Sequence, residues 1–260
     1  MRDFLPLTFL FFLLGTAVGS FLNVCISRLP RGESIITPRS HCTNCNKPIL
    51  IRDNFPILSF ILLGGRCRNC KEKISIIYPL IEFITGLVFL YFFHFFGLKQ
   101  ELLPYLLFTC SLIVISAIDV SHLIIPNEIS VPFIFLGILL SYFLPVGLVN
   151  SVLGVLLGGG ILFIVANTYY LITKKEGMGM GDVKLLAMIG AFLGPNGVLT
   201  TLFLSSLLGS ISGLVFIIFT GKGRNYPIPF GLFLAISAVI TLLWGNDLTR
   251  AYFGFMRSLW

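Results

Sequence analysis

Charge is what this sequence has least of. Asp, Glu, Lys and Arg make up 11% of its 260 residues, against about 25% in an ordinary soluble domain. That excludes a soluble enzyme, and a hydrophobic share of 56% excludes a disordered chain. Cysteine is scarce too: six in the whole chain cannot make a small disulfide scaffold. Also missing is a GxG turn after a predicted strand, the usual dinucleotide signature. What remains is an all-α polytopic membrane protein. The 26 Phe suit a lipid-facing surface, and the 26 Gly suit close helix packing and broken helices.

Apolar runs cover 4–27, 78–97, 103–120, 128–146, 149–172, 183–194, 197–220 and 230–248. At about 20 residues per span, they predict about eight transmembrane helices, the sixth being short. Polar breaks such as Lys99-Gln100-Glu101, Pro126-Asn127-Glu128 and Pro195-Asn196 separate them. The small residues Ala17-Val18-Gly19 before Ser20 also resemble a signal-peptide cleavage site, but the apolar run continues to Ile26, long enough to span. No tandem repeat is visible. The chain divides into a first helix (1–27), a polar insert (28–77) and a helical core (78–260).

The net charge of +7 is concentrated. Residues 28–73 carry nine Lys/Arg and three acids, Glu33, Asp53 and Glu72, so +6 resides in one segment. A nucleic-acid patch is one reading; a cytoplasmic loop marked by the positive-inside rule is the simpler one, and no nucleic-acid partner is expected. The loops at 173–182 and 221–229 are also basic. With eight spans all three fall on one side together with the loop at 120–127, so both termini are expected outside the cytoplasm.

Cys42-x2-Cys45 and Cys67-x2-Cys70 are two knuckles in that insert. Each can place two thiolates on one metal, and together they close a tetrahedron, for which Zn2+ is the expected ion. A reducing cytoplasm disfavours disulfides. Four cysteines leave no open position, so the metal is expected to fold the insert and not to catalyse. Gly64-Gly65 lets the backbone turn before Cys67. His41 is not needed as a ligand. Cys25 and Cys110, in apolar runs, read as small buried hydrophobes.

Three acids lie in or against apolar runs: Glu82, Asp119 and Asp182. Ionisable groups there are costly and point to function. Asp119 closes the third span and Asp182 opens the sixth, so the topology puts both at the cytoplasmic face. Two carboxylates brought together share a proton; the ionised one is a base for water, the other an acid toward a carbonyl. That is aspartic-protease chemistry. Gly177-Met178-Gly179-Met180-Gly181 before Asp182 disfavours a continuous helix and lets an extended substrate approach the backbone, with Gly179 and Gly181 as its contacts. Plainer roles exist: an N-cap for Asp182 and a snorkelling helix end for Asp119. His94 reads as a packed or interface residue. Lys184 balances charge or binds anionic lipid.

On these residues the sequence resembles the bacterial type IV prepilin peptidases, a family of GxGD-type membrane aspartic proteases. The resemblance runs over nearly the whole chain. It includes Gly19-Ser20-Phe21-Leu22-Asn23-Val24 with Arg28-Leu29-Pro30, both CxxC pairs, Gly65-Arg66-Cys67 and Tyr78-Pro79-Leu80-Ile81-Glu82. It continues through Asp119 with Pro126-Asn127, Gly177 to Lys184, and Pro229-Phe230-Gly231. It implies an inner-membrane endopeptidase acting on prepilins and pseudopilins of type IV pili and type II secretion. It also implies N-methylation of the new N-terminus from S-adenosylmethionine. Asp119 and Asp182 would be catalytic, and Gly65 and Arg66 associated with methyl transfer. The family often has Pro-Asp where this chain has Pro126-Asn127, which leaves Asp119 without a rival. The cysteine insert argues for the methylating form. Two alternatives stay open: a peptidase without methyltransferase activity, and an ion- or proton-coupled transporter, although transporter acids tend to sit near the midplane. The basic leader of a prepilin needs acids, of which Glu82 is the best placed, while the insert itself faces anionic lipid head groups.

Overall fold

The structure is a computed structural model that describes residues 4–175, 178–220 and 229–258. Its described residues hold eight α-helices and no strand: α1 (Phe4–Arg28), α2 (Leu58–Leu62), α3 (Ile77–Phe96), α4 (Leu102–His122), α5 (Asn127–Leu140), α6 (Gly147–Thr173), α7 (Met180–Thr220) and α8 (Phe230–Ser258). The chain forms two compact units, Met1–Val114 and Ile115–Trp260. Their boundary falls inside α4.

All eight predicted apolar runs lie on helices. Among the described residues five helices are long and apolar enough to cross a membrane, and Asn127–Phe143 and Phe230–Gly245 are shorter apolar helices. The sixth and seventh runs follow one another in the 41-residue α7 as two helices that meet at a kink. At about 1.5 Å per residue such a helix would be about 60 Å long, twice the apolar thickness of a bilayer. Gly194 breaks it, with φ 70° and ψ −175°, just before Pro195. Proline cannot donate to the preceding turn and disfavours helical backbone in the residue before it.

In the first unit α1 lies along α3. Phe11 stacks on Phe93 with ring centroids 4.3 Å apart, and a Cβ at Gly19 would stand 2.7 Å from Cα of Glu82. The insert between these helices contains little regular structure, and side chains hold it. Arg28 at the end of α1 is buried. Its guanidinium donates to the carbonyls of Ser34 at 2.9 Å and Pro38 at 2.8 Å. Arg68 grips Asp53 with two bonds of 2.8 and 2.6 Å.

In the second unit α7 is the centre, packed by α5, α6 and α8. Its first half is fully apolar inside: Leu185, Leu186, Met188, Ile189 and Phe192 have no exposed surface. The α6–α7 contact is backbone on backbone. A Cβ at Gly154 would collide with the carbonyl of Gly190, and one at Gly190 with that of Gly154. Ser151 Oγ donates to the Ala191 carbonyl at 2.7 Å across the same seam. Small residues permit such an approach in a membrane, where dispersion and not water exclusion drives helix association.

Candidate active site and metal centre

The two cysteine knuckles fold alike. In the first, the Cys42 amide donates to Lys47 O at 3.0 Å and the Asn46 amide to Cys42 O at 2.8 Å. In the second, Cys67 donates to Glu72 O at 2.8 Å and Lys71 to Cys67 O at 3.0 Å. Asn46 and Lys71 both take positive φ, 54° and 60°, to turn the chain after the second cysteine. Single antiparallel bridges, His41 with Pro48 and Arg66 with Lys73, close each turn. The Sγ atoms of Cys42, Cys45, Cys67 and Cys70 lie within 4.8 Å of one another, with Cys42 and Cys70 3.7 Å apart. A tetrahedral zinc with Zn–S bonds of about 2.3 Å sets its thiolates about 3.8 Å apart, so the donor set fits Zn2+. A thiolate is the form that binds metal, and the Asn44 amide also faces the cluster, 4.0 Å from Cys70 Sγ. His41 Nδ1 stands 3.1 Å from Arg39 O and is not in the cluster.

Gly65 and Arg66 border this centre. Gly65 has φ 66°, and a Cβ there would meet the Phe60 ring at 3.1 Å; Arg66 is exposed. Glu82 is buried. Its Oε2 accepts the Ile57 amide at 2.7 Å, and the Ser20 hydroxyl donates to the same carboxylate. Ile57 has φ 61° and precedes α2. Glu82 therefore ties the insert to the α1–α3 pair. Cys25 and Cys110 are buried and free.

Asp119 and Asp182 are both in the second unit. Asp119, buried, lies in the last turn of α4. The helix ends three residues on, and Leu123 turns the chain at φ 56° while donating to the Asp119 carbonyl at 2.8 Å. Asp182 lies in the first turn of α7, its amide bonded to Gly179 O at 3.2 Å. A Cβ on Gly179 would come 3.9 Å from Asp182 Oδ2, so the carboxylate turns back along the glycine segment. Gly177 lies outside the described residues.

The start of α8 joins these two ends. The Leu232 amide donates to Asp119 Oδ2 at 3.2 Å, and the Gly231 amide also points at that carboxylate. A Cβ at Gly231 would stand 2.8 Å from Asp119 Oδ2 and 3.1 Å from Ile125 Cδ1; one at Gly181 would stand 2.8 Å from Ile125 Cβ. Ile125 is thus the common neighbour of both glycines, and Asp182 lies within electrostatic range of Asp119. Nearby, Lys184 Nζ donates to Asn127 Oδ1 at 2.6 Å, which gives the lysine a partner that charge balance had not suggested. The roles of Ile125 and Leu232 had no signal in the sequence. Gly231 stood in a quoted motif but without a function.

Fold and site together define a multi-pass membrane protein with two aspartates converging at helix ends and a separate four-thiolate centre. Comparison with known proteins narrows that class. The model for the bacterial peptidase A24 N-terminal domain matches residues 13–96, and that for the type IV leader peptidase family matches residues 106–214. Proteins named prepilin leader peptidase/N-methyltransferase align over almost full length. The one from Pseudomonas aeruginosa is 37% identical, covering 96% of this chain and 95% of its own. That from Stutzerimonas stutzeri is 36% identical, over 97% and 96%, and that from Xanthomonas campestris 32%, over 93% of each. No solved structure matches the chain. The chain belongs to the type IV leader peptidase family.

Proposed function

We propose that this protein cleaves the leader from type IV prepilins and pseudopilins and then N-methylates the new N-terminal residue. The observation that carries the cleavage step is the convergence of Asp119, Asp182 and the α8 amides within one unit. In the mechanism that follows, one carboxylate, ionised, takes a proton from water as the oxygen attacks the scissile carbonyl carbon. The other, protonated, gives its proton to the carbonyl oxygen, producing a gem-diol. Collapse of that intermediate breaks the C–N bond, and a carboxyl proton passes to the leaving amine. Asp119 is the positioned member, because the Leu232 amide fixes one oxygen. Gly179 leaves room for extended substrate backbone beside Asp182, whereas the missing side chain of Gly181 makes room for Ile125.

Cys42, Cys45, Cys67 and Cys70 would hold Zn2+, which supplies folding free energy to the insert and, with its four positions filled, no catalysis. S-adenosylmethionine supplies the methyl group. The positive-inside rule supports a cytoplasmic insert, with the helix ends that carry Asp119 and Asp182 on that same side and both termini opposite. The site is then in the inner membrane at its cytoplasmic face. Incubating the purified protein with a prepilin and reading the products by mass spectrometry tests the proposal. Loss of the leader and gain of one methyl group are expected; an uncut prepilin would overturn the peptidase reading, and a cut, unmethylated one the transferase reading.

A further inference from the structure

The insert is polar in most of its length, yet it holds one apolar run, Phe55-Pro56-Ile57-Leu58-Ser59-Phe60-Ile61-Leu62-Leu63, and α2 lies within it. Phe60 and Leu63 line a cavity inside the first unit; Leu58, Ile61 and Leu62 do not. Those three fall at the i, i+3 and i+4 positions of one helix face and are 58%, 65% and 84% exposed. Contiguous apolar surface of this kind marks a contact with a partner or a membrane.

Glu82 fixes how deep that surface lies. Its carboxylate accepts the Ile57 amide at 2.7 Å and the hydroxyl of Ser20 on α1. At about 1.5 Å per residue, Glu82 stands about 7 Å past the start of α3 at Ile77, and Ser20 about 12 Å before the end of α1 at Arg28. The 20 residues of α3 make a helix about 30 Å long, the thickness of bilayer hydrocarbon. The segment tied to that carboxylate therefore starts inside the ends of both helices. At the same level α3 turns Leu80 and Phe83 outward, both exposed, where acyl chains cover a membrane helix.

The backbone of α2 suits that setting. Lipid offers no hydrogen bonds, so polar backbone groups at such a depth need partners in the protein. The Ile57 amide has Glu82. At the other end the carbonyls of Ser59, Phe60 and Ile61 accept the amides of Leu63, Gly65 and Gly64 at 3.0, 2.8 and 3.1 Å. Ser59 is buried and turns its hydroxyl to the Arg52 carbonyl at 3.3 Å. Charge follows the same plan: Arg52 before the run and Arg66 after it are both exposed, and cations beside an apolar segment meet anionic head groups.

We propose that residues 55–62 are a wedge seated in the cytoplasmic leaflet of the bilayer. Leu58, Ile61 and Leu62 lie among the acyl chains, and Arg52 and Arg66 lie at anionic phosphates. Amphipathic helices seat their apolar face about 5–10 Å into this boundary. The wedge holds the four-cysteine centre against the membrane surface. It rests on the cytoplasmic placement of the insert and not on the chemistry of either proposed reaction. The competing occupant is an apolar stretch of the substrate protein.

The test uses the full chain, zinc-loaded, in nanodiscs of phosphatidylethanolamine and phosphatidylglycerol doped with a lipid that carries a diazirine on its acyl chain. After irradiation, mass spectrometry locates the label. It is expected on α1, on α3 and within residues 55–62. The triple variant Leu58→Gln, Ile61→Gln, Leu62→Gln should lower the label in 55–62 at least about fivefold, since insertion scales with apolar area, and leave that on α3 unchanged. Label on α3 with none in 55–62 of the wild type would overturn the proposal, as would undiminished label in the variant. Should the triple variant lose its zinc, Leu62→Gln alone takes its place, with a fall of about twofold expected. A prepilin bearing photoreactive side chains is then added in excess. Lipid label that persists in 55–62 supports the wedge; its replacement by cross-linked prepilin would assign the surface to the substrate and overturn the proposal. Cleavage and methylation are not the readout, so failure here leaves the proposed function standing.

Discussion

The two units are held together by different physics. The insert in the first unit is small, basic and nearly without helix. It stands on fixed polar contacts: four thiolates, the Arg28 guanidinium on two carbonyls, the Asp53–Arg68 pair and the Glu82–Ile57 bond. The second unit has few such contacts at its centre. There α7 is buried in apolar side chains and meets α6 through glycine backbone. A short polar segment cannot bury enough apolar surface to offset its ordering entropy, so it needs a metal. Long apolar helices satisfy their own backbone and need only close approach. The unit built on closely packed helices is the one that carries Asp119 and Asp182.

That contrast breaks most sharply at the aspartates. Asp119→Asn or Asp182→Asn should each lower cleavage of a prepilin by about 10³-fold or more, since neither carboxylate can serve as acid and base at once. Metal content should not change, because the thiolates are in the other unit. Full-rate cleavage by either variant, measured with purified protein, would remove the dyad from the mechanism. Cysteine replacement should do the reverse. Native mass spectrometry should find one Zn2+ per chain, and Cys42→Ser, or its equivalent at Cys45, Cys67 or Cys70, should release it and expose residues 28–77 to protease. Methylation should fall further than cleavage, and equal losses would argue against separate sites.

A subtler probe is Gly231→Ala. The added Cβ would stand 2.8 Å from Asp119 Oδ2, so the carboxylate or the start of α8 must move. Displacements of about 1 Å cost about 10²-fold in rate, and steady-state cleavage kinetics should show a fall of that order with little change in melting temperature. Glu82 separates a holding role from a leader-binding one. Glu82→Ala leaves the Ile57 amide unpaired, a cost of about 1–3 kcal/mol, and should lower the melting temperature of the insert. Glu82→Gln keeps an acceptor and removes the charge. If it raises KM for prepilin more than it lowers kcat, Glu82 also meets the leader; unchanged kinetics leaves it as the anchor of the insert.

The smallest effect concerns pH. The Arg68 guanidinium holds the Asp53 carboxyl below the usual carboxylate range. A depressed value means that its contribution is fully present above the ordinary pKa of an aspartate, about 3.9, and is lost as pH falls through the folded-state value. Asp53→Asn should therefore shift insert stability slightly at neutral pH and not at all in strong acid. Protease resistance of residues 28–77 across pH reads this out, and the shift should be far smaller than that from losing a cysteine ligand.

Residue chemistry was enough to find the cysteines and aspartates. Thiols at CxxC spacing and carboxylates in apolar runs are informative wherever the chain places them, because burying them without a partner is costly. The Pro195 break and the glycine segment before Asp182 were legible for a similar reason, since they limit backbone locally. The two halves of α7 were legible as well: an apolar run on each side of a proline reads as two helices, and Gly194 breaks the helix there. The partner of Lys184 was not legible at all, being the Asn127 side chain 57 positions away.

The sequence by itself determined that the chain lives in a membrane, that a basic insert carries a tetrathiolate site, and which acids lie in or against apolar runs. Each follows from a local cost: charge in lipid, thiolates without metal, carboxylates in apolar surroundings. Only the tertiary structure decided that the amide of Leu232 reaches Asp119 across 113 residues. It alone seated Ile125 between Gly181 and Gly231. Those arrangements depend on how helices stack and where their ends meet. That is set by the sum of many weak contacts distant in sequence, so no single residue announces it.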